Sequence, residues 1–201
     1  MKRGIYGGSF DPVHFGHLLL AETARAEAGL DRVVFLPLGV PPHQKNVRTS
    51  GEDRFAMLEA AVAPYPEFEV GRYEIDSPNT SYTADTLRYY RETYPDDELY
   101  LIVGSETFND VPRWVRPREI CGLASLIVAR RAGFPPPDFD LFREIASPAR
   151  IEEFRRQVVE MPALEISSTA IRQRVASGRS VRFLTPDVVA DYIESRRLYR
   201  D

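Results

Sequence analysis

"GGSFDPVHFGH", Gly7 to His17, decides how the rest of this chain is read. Two glycines, a serine and an Asp-Pro pair lead into two histidines that stand three residues apart, one glycine between them. Ile5-Tyr6, just before, ends a short strand. Just after it, "LLLAETARAEAGL" is apolar at helical spacing, with Gly29 as its stop. "RVVFLPL" then has the composition and length of a buried strand. Strand, helix, strand in that order implies parallel pairing with a right-handed crossover. The glycine and histidine cluster therefore lies where a strand gives way to a helix.

The same alternation runs outward from there. A Pro-containing loop spans 39–50, and "EDRFAMLEAAVA" reads as a helix that Thr49 or Ser50 can cap. "FEVGRYEI" reads as a strand, "TADTLRYYRETY" as a helix with Thr83 as a plausible cap, and "LYLIVG" as a strand that ends in Gly104. "PREICGLA" is a short helix and "SLIVARR" a further strand. Residues 133–148 are Pro- and Gly-rich and read as a weakly structured surface excursion. "IEEFRRQ" reads as a helix, "VVEM" and "LEIS" as extended pieces. "STAIRQRVASG" is a helix with Ser167 or Ser168 at its cap and Gly178 past its end. "TPDVVADYIESRRLY" has Thr185 as cap and Pro186 at the first helical position. The expected fold class is α/β: a Rossmann-like open, mostly parallel sheet with helices on both faces. With no repeat and no long linker, residues 1–201 are expected to form a single domain.

Composition narrows the function. The chain has 201 residues, ample for one core, and a net charge of −4. That balance argues against broad nucleic-acid binding, which needs a basic footprint. The lone Cys121 leaves no partner for a disulfide within the chain, which suits a reducing compartment. No apolar run approaches the length of a membrane span. Lys2-Arg3 passes straight into Gly4-Ile5-Tyr6 and the glycines, too short an apolar stretch for a signal peptide. A cytoplasmic protein is expected, with no membrane partner; a homo-oligomer is compatible with the sequence. Only Lys2 and Lys45 among the 26 basic residues are lysines.

In open α/β sheets ligands bind outside the carboxyl ends of the strands. Backbone N–H groups at a helix start attract anions there, and glycines let a phosphate come close. At three-residue spacing around a first helical turn, His14 and His17 can address one ligand. Zinc would need further ligands, and no matching pair is evident. "GGSF" is not a nucleophile elbow, so a serine triad does not fit. Two imidazoles as donors to phosphate oxygens, where charge builds up in phosphoryl or nucleotidyl transfer, do fit. The second phosphate candidate is "ISSTAIR", Ile166 to Arg172, where Ser168 and Arg172 stand at i, i+4 beside a helix start. Neither stretch is a P-loop or a Gly-x-Gly-x-x-Gly fingerprint.

Together "GGSFDPVHFGH" and "ISSTAIR" resemble the two signatures of the nucleotidyltransferase superfamily with the His-x-Gly-His motif. With "VPPHQKN", "SYTADTL", "YLIVGSE", Arg113-Trp114 and "FLTPDVVADYI" in order, the chain resembles the bacterial nicotinate-nucleotide adenylyltransferases over its whole length. The resemblance implies ATP and nicotinate mononucleotide as partners, and deamido-NAD and pyrophosphate as products, in NAD biosynthesis. His14 and His17 would be catalytic. Gly7, Gly8, Ser9, Phe10, Gly104, Ile166, Ser167, Ser168 and Arg172 would bind ATP and its phosphates. His43, Lys45, Tyr82, Thr83 and Trp114 would bind the mononucleotide, with Trp114 stacked on its ring. Mg²⁺ would be carried mainly on the ATP phosphates and water, with no protein ligand named.

Two departures stand out. The family pattern Pro-Pro-His-Lys is here Pro42-His43-Gln44-Lys45, with the lysine one place late. Glu106 stands where the family carries an aspartate expected near a ribose. Rival readings are an adenylyltransferase of the same superfamily acting on nicotinamide mononucleotide or phosphopantetheine, and a nucleotide-binding sensor without turnover. The phosphopantetheine enzymes are shorter and lack "SYTADTL" and the Arg-Trp pair, while intact His14, His17 and Arg172 speak against a sensor.

Overall fold

The structure, a computed structural model, describes residues 1–39, 48–130, 133–162 and 164–200. His43 and Lys45 lie outside the described residues. Strands β1 (Lys2–Gly8), β2 (Arg32–Pro37), β3 (Phe68–Val70), β4 (Glu98–Gly104), β5 (Ser125–Arg130) and β6 (Val158–Glu160) form one sheet in the order β3-β2-β1-β4-β5-β6. Lys2 stands opposite Glu98, Leu101 opposite Leu126 and Val128 opposite Val158, each pair in parallel strands. Between them run α1 (Phe15–Ala28), α2 (Gly51–Val62), α3 (Thr83–Thr93), α4 (Ser105–Asp110), α5 (Pro117–Leu123) and α6 (Pro148–Arg156); α7 (Ser168–Ala176) and α8 (Asp187–Ser195) follow. The chain thus adopts the α/β, Rossmann-like architecture that the alternation implies. No helix among the described residues is long and apolar enough to cross a membrane.

Contacts gather the chain into two compact units. The first holds residues 1–6, 20–34 and 82–163. Its β4 and β5 are buried along almost their whole length, as near-continuous apolar runs of parallel strands should be. Here the Pro-rich 133–148 segment departs from expectation. A 3-10 turn at Phe139–Phe142 buries both phenylalanines, with Phe142 stacked on Phe108 (4.3 Å) and edge-on to Phe154 (5.9 Å). Two aromatics at i, i+3 anchor a stretch whose prolines suggest only a surface excursion.

The second unit holds residues 7–19, 35–81 and 164–201. There α2 packs on α8, and Ile171, Val181 and Ala190 form a small core joined by Ile166, Val175 and Leu184. The Ser50 and Ser167 hydroxyls accept the N–H groups of Asp53 and Ala170, capping α2 and α7. Gly29 and Gly178 end α1 and α7 at φ of +63° and +69°.

Three local expectations are corrected. β3 stops at Val70: Gly71 gives its N–H to Phe35, and the chain then turns, with Asp76 N–H on the Arg72 carbonyl, instead of running extended to Ile75. Thr83 is the first residue of α3 rather than its cap, since Tyr82 holds that position with no side-chain hydrogen bond. The start of α8 differs too: Thr185 does not cap it, because its hydroxyl donates to the Val13 carbonyl at 2.7 Å, and Pro186 holds the cap position rather than the first helical one.

Candidate active site

The second unit builds the phosphate-loop constellation. His14 is the last residue before α1, and its carbonyl accepts the N–H groups of His17 and Leu18, the first bonds of that helix. The two imidazoles stack, centroids 3.7 Å apart and 22° from parallel. His14 is buried and His17 half-buried, with the Phe10 ring edge-on to His17 at 5.0 Å. His17 Nδ1 accepts the backbone N–H of His14 (3.3 Å), so a neutral His17 carries its proton on Nε2. In that tautomer Nε2–H is the donor of the ring.

The glycines have separate causes. A Cβ on Gly8 would come within 2.9 Å of the Phe10 ring, which folds back at φ of +46° and is fully buried. A Cβ on Gly16 would crowd the His14 ring at 3.0 Å, so a glycine between the imidazoles lets them stack without the His14 ring shifting. A Cβ on Gly7 meets nothing within 4 Å, and Gly7 is the glycine at which an anion can approach open backbone. Phe10 offers a ligand its backbone only.

Sequence reasoning missed the hub beneath this loop. Asp11 is buried, and its carboxylate accepts the Arg48 N–H (2.7 Å), the Thr49 hydroxyl (2.6 Å) and the Tyr199 hydroxyl (2.6 Å). Buried Arg54 donates to the Ser9 carbonyl (3.0 Å) and the Leu38 carbonyl (2.7 Å), which ties the loop to the end of β2. Burial works against the Arg54 charge, and the fields of Asp11 and Glu74 offset part of that cost. Asp11 was visible within the first signature, but no local signal pairs it with a tyrosine 188 residues away.

Burial, then the charge of Asp11 and the hydrogen bond to it, push the Tyr199 hydroxyl well above its ordinary value. A tyrosine raised in this way stabilises the fold fully below its unfolded value of about 10 and loses that contribution as pH rises toward the folded value. Tyr199→Phe should therefore cost about 1.5–3 kcal/mol at neutral pH, the worth of a hydrogen bond to a charged group. In thermal melts the gap between the two proteins should shrink above about pH 10. A constant gap across that range would place the loss elsewhere.

The second signature meets the first from behind. Ser168 donates its hydroxyl to the Pro12 carbonyl (2.9 Å), and Arg172 Nη1 donates to the Asp11 carbonyl (2.7 Å). Arg172 Nη2 also reaches the Thr169 hydroxyl at 3.3 Å. A hydroxyl has one proton to donate, and that of Ser168 goes to Pro12. What Ser168 offers an anion here is its backbone N–H at the start of α7. Ser167 is spent as the cap, and Ile166 packs into the small core under α7.

The first unit carries the other constellation. Gly104 ends β4, and a Cβ there would stand 3.0 Å from the Glu106 carboxylate. Glu106 lies in the first turn of α4, a helix too short for periodicity to reveal. Half-buried Tyr82 and Thr83 form the start of α3, which no side chain caps. Half-buried Trp114 follows a 3-10 turn, Val111–Arg113, with its N–H on the Val111 carbonyl (3.0 Å). The structure thus brings the phosphate candidates together in one unit, and Gly104, Glu106, Tyr82, Thr83 and Trp114 in the other. Among the described residues no group of three or more His, Cys, Asp or Glu side chains could hold a metal ion.

The two signatures and this geometry define a nucleotidyltransferase, and comparison with known proteins agrees. Residues 5–174 match the cytidylyltransferase-like family, and the chain belongs to it. A Desulfitobacterium hafniense protein named "probable nicotinate-nucleotide adenylyltransferase" is 42% identical over 98% of this chain and 95% of its own. A Thermus thermophilus protein of the same name is 42% identical over the full length of both chains. Among solved structures, Plasmodium falciparum nicotinic acid mononucleotide adenylyltransferase complexed with NaAD shares the fold. Its TM-score is 0.76 at 19% identity, covering 99% of this chain and 98% of that one.

Proposed function

We propose that this chain is a nicotinate-nucleotide adenylyltransferase, which joins ATP and nicotinate mononucleotide to give deamido-NAD and pyrophosphate in NAD biosynthesis. The observation that carries the reading is the 42% identity, over whole chains, to proteins given that name. In the reaction an oxygen of the mononucleotide 5′-phosphate attacks the α-phosphorus of ATP in line. The bond from that phosphorus to the bridging oxygen of the β-phosphate breaks, and pyrophosphate leaves with the electron pair. No covalent enzyme intermediate is needed, so positioning and charge stabilisation do the work.

Nε2–H of His17 donates to an α-phosphate oxygen as charge develops, and His14 holds the ring against which His17 stacks. The open backbone at Gly7 and the start of α7 take the triphosphate, with Arg172 supplying positive charge to its tail. The uncapped start of α3 takes the nicotinate carboxylate and Trp114 the ring, while Gly104 and Glu106 serve the nucleoside. Mg²⁺ enters as MgATP, held on phosphate and water, a mode that suits its reluctance to dehydrate. The soluble nucleotide substrates and the lone cysteine suit the cytoplasm.

The reading is tested with ATP labelled separately at the α- and γ-phosphates. The α label should appear in a dinucleotide identical to deamido-NAD, and the γ label in pyrophosphate. Orthophosphate or ADP as the labelled product would rule it out. Arg172→Ala should weaken ATP and pyrophosphate binding about 10- to 100-fold, the loss of a charged hydrogen-bond donor, and mononucleotide binding far less. Equal losses for both substrates in calorimetry would show that Arg172 only braces Asp11.

A further inference from the structure

We propose that Arg116 and Asp85 form a clasp that positions Trp114, so that this ion pair sets the affinity for the mononucleotide ring without touching it. The inference rests on the function proposed above. Thr83 and Trp114 are each followed, two residues on, by one member of the pair. Asp85 lies in the first turn of α3, and Arg116 is the last residue before α5. Arg116 Nη2 stands 2.5 Å from Asp85 Oδ2, so the segment that carries Trp114 is tied to the helix start that carries Thr83.

The pair sits in a closed ring of alternating charge. Arg88 donates to Asp85 Oδ1 at 3.3 Å and also to Glu119, which faces Arg116 Nε at 3.8 Å. Four groups on α3, α5 and the turn between Trp114 and α5 thus neutralise one another. Each is 28–43% exposed, which suits a device that holds position more than one that adds stability.

The backbone supplies the second reason. Arg116 adopts φ of +56° and ψ of +55°, a left-handed conformation that favours glycine, directly before Pro117. This turn swings the chain from extended Trp114 (φ −72°, ψ 164°) into α5. Glycine would make it without strain, yet the chain places there a long cation that reaches α3. Strain kept at such a point marks a constraint met by the side chain. Among the described residues Arg113, the other arginine beside Trp114, forms its ion pair with Asp110, three residues back at the end of α4, and not with α3.

Trp114 is the sole tryptophan, so its fluorescence reports ring stacking directly. Arg116→Gly relieves the backbone and removes the pair; Asp85→Asn keeps the shape and removes the charge. Titrated with nicotinate mononucleotide, both should show a dissociation constant about three- to tenfold above wild type. KM for the mononucleotide should rise in parallel, with kcat and KM for ATP unchanged. The double variant should lose clearly less than the sum of the two single losses, since both single variants break the shared Arg116–Asp85 pair. Wild-type titration by Arg116→Gly and Asp85→Asn, additive losses, or parallel losses in ATP affinity would overturn the clasp. A wild-type protein that neither responds to nicotinate mononucleotide nor turns it over would sink the function and the clasp together; a responsive wild type beside indifferent variants sinks the clasp alone.

Discussion

His17→Ala is expected to lower kcat by roughly 10²–10³, the usual cost of losing one preorganised donor to developing charge. The fold should survive. His17 is half-buried, and water can replace Nδ1 as acceptor for the His14 N–H. Loss of the Phe10 contact should shift the melting temperature by only a few degrees. Because the donor acts on charge that appears in the transition state, kcat and kcat/KM should fall together, with ATP affinity nearly kept. A folded His17→Ala protein with near-wild-type kcat would show that the imidazole stack is packing and no more.

The second large effect is discrimination between nicotinate and nicotinamide mononucleotide, expected to be on the order of a hundredfold or more in kcat/KM. The two rings differ by a carboxylate against a carboxamide. A carboxylate only accepts hydrogen bonds, whereas the amide NH₂ needs an acceptor. The start of α3 has no side-chain cap, so it presents backbone donors beside the Thr83 hydroxyl. An NH₂ there faces donors, and each such mismatch costs about 1–3 kcal/mol. In the proposed site Trp114 would stack on either ring, so Trp114→Ala should raise both KM values with little change in their ratio. Unchanged KM values would make Trp114 a core residue; a ratio near one in the wild type would refute the donor-lined pocket.

The fold was legible where the signal is local. Ser50, Ser167, Gly29 and Gly178 work as their residue types imply, and the apolar runs of β4 and β5 announce buried parallel strands. What escaped depends on partners distant in sequence. Thr185 looks like a cap, but its hydroxyl donates instead to the carbonyl of Val13, 172 residues earlier. α4 has six residues, fewer than two turns, and shows no periodicity. At the site, both signatures could be found by motif, while their bracing could not. The need for Gly8 comes from the Phe10 ring and that for Gly16 from the His14 ring. Asp11 acquires its role only when Arg48, Thr49 and Tyr199 converge on it.

Pyrophosphate release from MgATP, with one acceptor present at a time, tests the central claim most directly. The acceptors are nicotinate mononucleotide, nicotinamide mononucleotide and phosphopantetheine. The account predicts rapid release with the first, release at least about a hundredfold less efficient with the second on the mismatch argument, and none with the third. Release with phosphopantetheine, or none with any acceptor by a protein that still binds ATP, would contradict it.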